Sequence, residues 1–213
     1  MNQPITERPT IFATLRALVP RRPLTYREAE RIAELQANRF RELLGIGEAQ
    51  LDEAAIGSLP RIDIKRRHGM PASGLTHWHN GRWLVMLNAD ECVQRQRFSL
   101  CHEFKHILDH TTQQWIHPGV VPGSLDPRVE RLADYFAACL LMPKRHVKRL
   151  FGQRGTVDQL AQAFGVSLAA MSIRLSQLGL IDQPPRCLRP GPRWDHFDQS
   201  YFRSKPLPQG VPA

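Results

Sequence analysis

Hydrophobic and polar positions along the chain repeat with two different periods, which predicts a protein of both helices and strands. From Thr25 to Leu44 apolar residues return every three to four positions, as on one face of an amphipathic helix. Thr25 and Glu28 fit a capping box at the start of this helix, and Gly45 fits its C-terminal end. The polar residues and prolines of residues 1–23 predict a loosely ordered N-terminal segment.

Strand patterns follow between residues 61 and 88. Residues 61–65 alternate apolar and polar side chains. Residues 73–79 and 82–88 flank Asn80-Gly81, the dipeptide favoured in two-residue hairpin turns. We therefore predict a small three-stranded antiparallel sheet.

Two longer helices are predicted after the strands. Residues 95–110 contain neither Gly nor Pro, and one side carries an apolar stripe that includes Phe104 and Ile107. The second helix starts after Asp126, a plausible N-cap, and stops at Pro143. One face of it is small and apolar, which favours close packing against the first helix. This face consists of Ala133, Ala137, Leu140 and Leu141.

Residues 156–180 predict two short helices joined by a tight turn, a helix-turn-helix pattern. Thr156 and Ser167 fit their N-caps, and Gly179 fits the end of the second helix. In a DNA reader, four polar residues of that helix could reach base edges: Ser172, Arg174, Ser176 and Gln177. We favour a role in buttressing or protein docking, because Arg174 is the only cation of that helix.

Composition narrows the class of protein. The 213 residues can bury a sizeable core, and the net charge of +9 keeps DNA as a possible partner that we do not favour. Four cysteines without a CxxC pair suit a reducing compartment. We see no signal peptide and no run of transmembrane length, so we expect a cytoplasmic protein without a membrane partner. Residues 183–213 hold seven prolines and form a Pro-rich basic tail.

The segment from His102 to His106 carries the chemistry. Residues four apart on a helix share one face, so His102 and His106 can reach the same metal ion. Glu103 lies beside that face, where its carboxylate could accept a proton from water. This is the HExxH arrangement of zinc-dependent peptide hydrolysis. A surface helix that carries two histidines by chance is the alternative.

A catalytic zinc usually holds three protein groups and keeps one position open. Glu130, 24 residues after His106, is the best candidate for the third ligand. Asp134, one turn further on, could accept a hydrogen bond from the unliganded nitrogen of a ligand histidine. Alternatively, Glu130 interacts with the helix dipole and Asp134 forms a solvated pair. Rival ligands are Asp109, His110 and His117.

The segments Phe98–His110 and Glu130–Pro143 resemble the ImmA/IrrE family of bacterial and phage metallopeptidases. That family pairs HExxH with a later Glu-x-x-Ala-Asn/Asp-x-Phe-Ala…Leu-Leu-Met-Pro segment. The resemblance implies that His102, His106 and Glu130 bind the metal and that Glu103 is the general base, with Asp134 in the Asn/Asp position. Lys105 departs from the pattern, since many members have Gly there, and it adds a bulky cation near the metal helix, so the resemblance does not define the neighbouring substrate subsite.

The resemblance also implies the fold and the domain organisation. We expect an α+β, zincin-like peptidase whose three-stranded antiparallel sheet packs on the metal-binding helices, followed by a helix-turn-helix-like unit. The expected division is a flexible segment at 1–23, the peptidase domain at 24–150, the helical unit at 151–182 and the tail at 183–213.

The implied function is a zinc-dependent endopeptidase that cleaves an Xre-type transcriptional repressor and so relieves repression. Mn²⁺ would also suit two imidazoles and a carboxylate, although nitrogen ligands favour Zn²⁺. The alternative is a non-proteolytic regulator that binds DNA or a repressor and has a structural or vestigial metal site. A toxin-like partner in a two-gene module is a third possibility.

Two further roles depend on this reading. His117 and Tyr135 are both candidates to donate a hydrogen bond to the oxyanion of the tetrahedral intermediate. The strand of Trp83, Val85 and Leu87 is a candidate edge strand that binds an extended substrate by main-chain pairing, though an internal strand would have the same pattern.

Overall fold

The computed structural model describes residues 9–48, 50–121 and 126–182, which form an α+β fold with one small sheet, as predicted. The helices are α1 (Ile11–Arg16), α2 (Tyr26–Leu43), α3 (Ala54–Gly57), α4 (Val93–Asp109), α5 (Gln113–Ile116), α6 (Pro127–Leu141), α7 (Lys144–Arg154), α8 (Val157–Phe164) and α9 (Leu168–Gln177). The strands are β1 (Ile62–Arg67), β2 (Gly74–His79) and β3 (Arg82–Asn88). The predicted Pro-rich tail lies outside the described residues.

The chain is already ordered ahead of α2. Thr10 caps α1, and Leu15 is fully buried. Arg16 donates from Nη2 to the carbonyl of Ile107 at 2.8 Å and from Nε to that of Leu108 at 3.1 Å, near the C-terminal end of α4. The prediction of a loosely ordered segment is therefore wrong for residues 9–23. The burial of Leu15 and the hydrogen bonds of Arg16 to α4 hold this segment in place, and such long-range contacts cannot be read from its composition. Residues 1–8 lie outside the described residues.

The sheet has the strand order β1-β3-β2 and is mixed. β2 and β3 are antiparallel, and the turn between them has φ of 49° at Asn80 and 76° at Gly81, as the favoured hairpin turn requires. β1 pairs with β3 in parallel, so the prediction of an all-antiparallel sheet is wrong. The strand with the longest apolar run, β3, takes the central position, where both of its edges are paired.

Helix α4 is the centre of the fold. It packs on β2 and β3 on one side and on α6 on the other, while α2 packs on α6. The ring of Phe104 lies 5.0 Å from that of Phe40 in α2 and 6.1 Å from that of Phe136 in α6. Aromatic packing therefore fixes the face of α4 that points inward, and the face that carries the histidines meets the first turn of α6.

The helix-turn-helix prediction is confirmed in its local structure. Thr156 and Ser167 accept the N-capping hydrogen bonds of α8 and α9, and Gly165 turns between them at φ of 61°. Arg97 of α4 donates to the carbonyl of Gly165 at 2.8 Å, which ties this turn to the metal-motif helix. In the described parts of the chain we find no helix that is long and apolar enough to cross a membrane.

Arg174 of α9 does not face outward. Its side chain is buried at 1% exposure, and Nε donates to the carbonyl of Met142 at 3.1 Å, just after α6. The guanidinium also lies 5.7 Å from the ring of Tyr135. The expectation that Arg174 could reach base edges is therefore wrong, because the end of α6 needs a donor for its carbonyls.

Candidate metal centre

The candidate site forms where α4 meets the first turn of α6. The His102 and His106 side chains project from the same face of α4 and are 12% and 28% exposed. Asp126 caps α6 by accepting from the backbone NH of Arg128, and this positions Glu130 in the first turn opposite the two histidines. The two helices thus bring together three side chains that are far apart in sequence.

The three donor groups converge. His102 Nε2 lies 3.0 Å from His106 Nε2 and 3.2 Å from Glu130 Oε2, and His106 Nε2 lies 3.7 Å from Glu130 Oε1. Ligands of a tetrahedral zinc with bonds of 2.0–2.1 Å are about 3.3 Å apart. The spacing and the donor types, two imidazole nitrogens and a carboxylate oxygen, therefore fit one divalent cation. Among the described residues, this is the group that combines these donors within 4.8 Å of one another.

Asp134 orients one of the imidazoles. Its Oδ1 lies 2.8 Å from His102 Nδ1, one helical turn after Glu130. A proton on Nδ1 that is donated to this carboxylate leaves the lone pair of Nε2 facing His106 and Glu130. The geometry is the one expected of an outer partner that fixes the tautomer and orientation of a ligand.

Two carboxylates stabilise the charged form of His102. Burial disfavours the charged form of His102, but hydrogen bonds to Asp134 and Glu130 outweigh it and raise the pKa of His102 to about 10. Burial and the charge of His102 lower the pKa of His106. Burial would raise the pKa of Glu130, yet its hydrogen bond to His102 and the nearby charge of His106 lower that pKa. The carboxylates of Asp134 and Glu130, which stabilise a positive charge on His102, would also stabilise a divalent cation.

The side chain of Glu103 in α4 points toward the edge strand β2. It is buried, and its Oε2 accepts a 2.6 Å hydrogen bond from the hydroxyl of Thr76. A Cβ at Gly74 would lie 2.9 Å from Glu103 Oε1, so only glycine leaves this space open. Sequence reasoning missed both Thr76 and Gly74, because the strand register that brings them to Glu103 is a long-range property. Their two-residue spacing on one strand was the available signal.

The strand predicted to bind substrate is not at an edge. Trp83, Val85 and Leu87 belong to β3, which is paired on both sides, and Val85 and Leu87 are fully buried. The edge-strand assignment is therefore wrong for these residues, since their backbone groups pair with β1 and β2. The strand that is both at the edge and in contact with Glu103 is β2.

The two candidate oxyanion donors lie in different surroundings. The hydroxyl of Tyr135 donates to Glu34 Oε2 at 3.3 Å, so it is turned toward α2 and is not placed to act at the ligand cluster. His117 is buried with Nε2 3.5 Å from Asp109 Oδ2. Its role as an oxyanion donor stays a prediction. Neither of the rivals Asp109 and His117 is part of the converging donor set.

Lys105 points away from the site. Its side chain is 1% exposed, and Nζ donates to Gln36 Oε1 at 2.9 Å and to Asp109 Oδ1 at 2.5 Å. Burial would raise the pKa of Asp109, but the charge of Lys105 and the His117 contact lower it. Lys105 therefore stabilises the interior between α4, α2 and α6. Its side chain does not occupy the subsite beside the histidines.

Comparison with known proteins identifies the family and supports the fold. The model of the M78 peptidase family, described as an IrrE N-terminal-like domain, matches residues 58–176, more than half of the chain. A solved structure of a Mycobacterium tuberculosis transcriptional regulator is similar with a TM-score of 0.56 and 21% identity, and the similarity covers 84% of this chain but 54% of that one. This likeness concerns the fold. No curated protein matches the chain at a significant level.

Proposed function

Because the chain belongs to the M78 peptidase (IrrE N-terminal-like) family, a family of metallopeptidases, we propose that it is a zinc-dependent endopeptidase. The observation that carries this proposal is the convergence of His102, His106 and Glu130, with Glu103 in the same turn of α4 as the two histidines. The three would hold the metal from three sides and leave a fourth position open. When bound there, zinc acidifies a water molecule and polarises the scissile carbonyl.

A side chain of the protein would accept and then donate the proton during cleavage. Glu103 accepts a proton from the attacking water and passes it to the leaving amine as the peptide bond breaks. The hydrogen bond from Thr76 holds Oε2, and Oε1 lies beside Gly74, where a Cβ would be too close. Strand β2 thus keeps the carboxylate in the position from which it would receive the proton. Asp134 keeps the His102 ring aligned throughout.

A substrate chain has a place to bind next to Glu103. In the described part of the chain, the outer edge of β2 pairs with no other strand. An extended peptide could add to that edge through main-chain hydrogen bonds, which would lay its backbone across Glu103. This mode of binding requires an extended or locally unfolded segment of the substrate protein.

We propose an Xre-type repressor as the substrate. Its support is the resemblance to the ImmA/IrrE family and the helix-turn-helix-like unit attached to α4 through Arg97. Since the cation of α9 is buried at the end of α6, we propose that the unit of residues 151–182 contacts protein and not DNA.

Incubation with a repressor tests this function. The full-length protein, loaded with Zn²⁺ or with Mn²⁺, is mixed with an Xre-type repressor encoded beside it, and new termini are identified by mass spectrometry. We expect cleavage at a defined bond that stops when the metal is chelated. A stable complex with an intact repressor would support the non-proteolytic regulator instead, as would operator binding without cleavage.

A further inference from the structure

Three aromatic rings form a wall where β2 and β3 lie beside the end of α4. The rings of Trp78 in β2 and Trp83 in β3 lie 5.0 Å apart in an edge-to-face arrangement, and the two residues are cross-strand partners. The ring of His110, just after α4, lies 5.0 Å from that of Trp83. Trp83 packs against the core, whereas Trp78 is 45% exposed.

Strand alternation places this wall on the same side of the sheet as Glu103. Gly74 and Thr76 both contact Glu103, and Trp78 follows at the same two-residue spacing, so its side chain projects from the same face of β2. Trp78 lies roughly 7 Å beyond Thr76 along the strand, at about 3.3 Å per residue. The wall is therefore about two residues of extended chain away from the candidate general base.

The position of His110 at the end of α4 also places the wall near the candidate site. His110 is one helical turn beyond His106, which corresponds to about 6 Å along the helix axis. The wall thus bridges the edge strand and the end of the metal-motif helix, next to the ligand cluster. A substrate backbone that pairs with the outer edge of β2 would carry its side chains past these rings.

We propose that Trp78, supported by Trp83 and His110, forms a specificity subsite of the proposed peptidase. It binds an aromatic or large aliphatic side chain of an extended peptide, within about two residues of the scissile bond. The exposed indole face offers offset or edge-to-face contact to such a side chain. This inference rests on the proposed endopeptidase function, but the binding of a peptide at the subsite can be measured without cleavage.

A purely structural explanation of the wall must be distinguished. Cross-strand aromatic pairs stabilise hairpins, so Trp78 and Trp83 could serve the sheet alone. In that case, substitution of Trp78 lowers the temperature of unfolding and leaves peptide selectivity unchanged. If Trp78 recognises the substrate, its substitution changes peptide selectivity and leaves the temperature of unfolding close to the wild-type value.

The test uses the full-length, zinc-loaded Glu103→Gln variant, which we expect to bind peptides without cleaving them. A library of randomised ten-residue peptides is enriched on this protein and sequenced. We expect one position to be enriched in Phe, Tyr, Trp or Leu. Trp78→Thr, which keeps a good strand former, should reduce that enrichment about tenfold, and Trp78→Phe should retain most of it. The matched control is His77→Thr, whose side chain lies on the opposite face of β2 and should change nothing.

The outcomes separate this inference from the proposed function. Unchanged aromatic enrichment in Trp78→Thr, or a loss of thermal stability alone, overturns the subsite. Cleavage by the wild-type protein without any aromatic preference also overturns it and leaves the endopeptidase in place. Trp78-dependent enrichment by a protein that cleaves no substrate supports the subsite and removes the endopeptidase.

Discussion

Thr76 Oγ1 donates a 2.6 Å hydrogen bond to Glu103 Oε2, which joins the edge strand to the metal-motif helix at the carboxylate of the candidate base. This single contact links the three parts of the proposed site. The strand that would bind substrate, the group that would move the proton and the histidine pair of α4 are held in one arrangement, because the helix packs directly on β2 and β3.

Gly74→Ala should impair catalysis without removing the metal. Its new Cβ would lie 2.9 Å from Glu103 Oε1 and 3.0 Å from Cγ, so the carboxylate must shift. We expect kcat/KM to fall by about 10- to 100-fold, the scale of a displacement near 1 Å. Zinc affinity, measured by competition with a chelator, should stay within about threefold of the wild-type value, since no ligand moves. Gly47→Ala is the control, because nothing lies within 4 Å of a Cβ there. Wild-type kcat/KM in Gly74→Ala would count against the base assignment.

Asp134→Ala should weaken metal binding. Alanine removes the acceptor that lies 2.8 Å from His102 Nδ1, so the ring loses the group that orients it and a nearby negative charge. Loss of such an outer partner typically costs about 10- to 100-fold in metal affinity. Titration calorimetry with Zn²⁺ measures it, with Asp158→Ala in α8 as a control at an exposed carboxylate. Equal affinities for the two variants would contradict the assigned role.

Zinc uptake at about pH 6, below the pKa near 7 of a zinc-bound water, should release one proton. The pKa of His102 in the metal-free protein is raised to about 10, so a proton and the metal compete for its Nε2. The pKa values of His106 and Glu130 are both lowered, so these groups release no further proton. Affinity should therefore rise about tenfold per pH unit up to about pH 7. Calorimetry in buffers of different ionisation enthalpy counts the protons. Release of none or of two would refute the assigned charge states.

Lys105→Met should destabilise the fold while it leaves the subsite unchanged. The substitution would leave Asp109 buried without its cation, which commonly costs about 3–5 kcal/mol of the free energy of unfolding. The double variant Lys105→Met/Asp109→Leu removes both charges and should recover much of this loss. Urea unfolding of the metal-free proteins measures both. If Lys105→Met were as stable as the wild type and the double variant no better, the buried pair would not have the role that we give it.

The helices and their ends could be predicted because local chemistry determines them. The capping box of Thr25 and Glu28, the Asp126 cap and the Gly165 turn all form as the sequence indicates. The HExxH spacing likewise fixes the shared face of His102 and His106. These features depend on neighbours within about one helical turn.

The parts that could not be predicted depend on long-range pairing. The apolar run of β3 does not by itself distinguish a central strand from an edge strand, and the pairing of β3 with β1 makes it central. The contacts of Thr76 and Gly74 with Glu103 follow from strand register. The buried position of Arg174 follows from the carbonyl of Met142 after α6, 32 residues away in sequence.

The most direct test of the proposed endopeptidase compares Glu103→Gln with the wild-type protein at equal zinc occupancy. Glutamine keeps the shape of the side chain but cannot accept the proton, and no ligand is altered. Occupancy is verified by metal analysis, and Glu42→Gln, at an exposed glutamate of α2, is the matched control. We predict that Glu103→Gln binds zinc as the wild type does and cleaves the repressor at least ~100-fold more slowly. Cleavage by fully loaded Glu103→Gln at the wild-type rate would contradict the account.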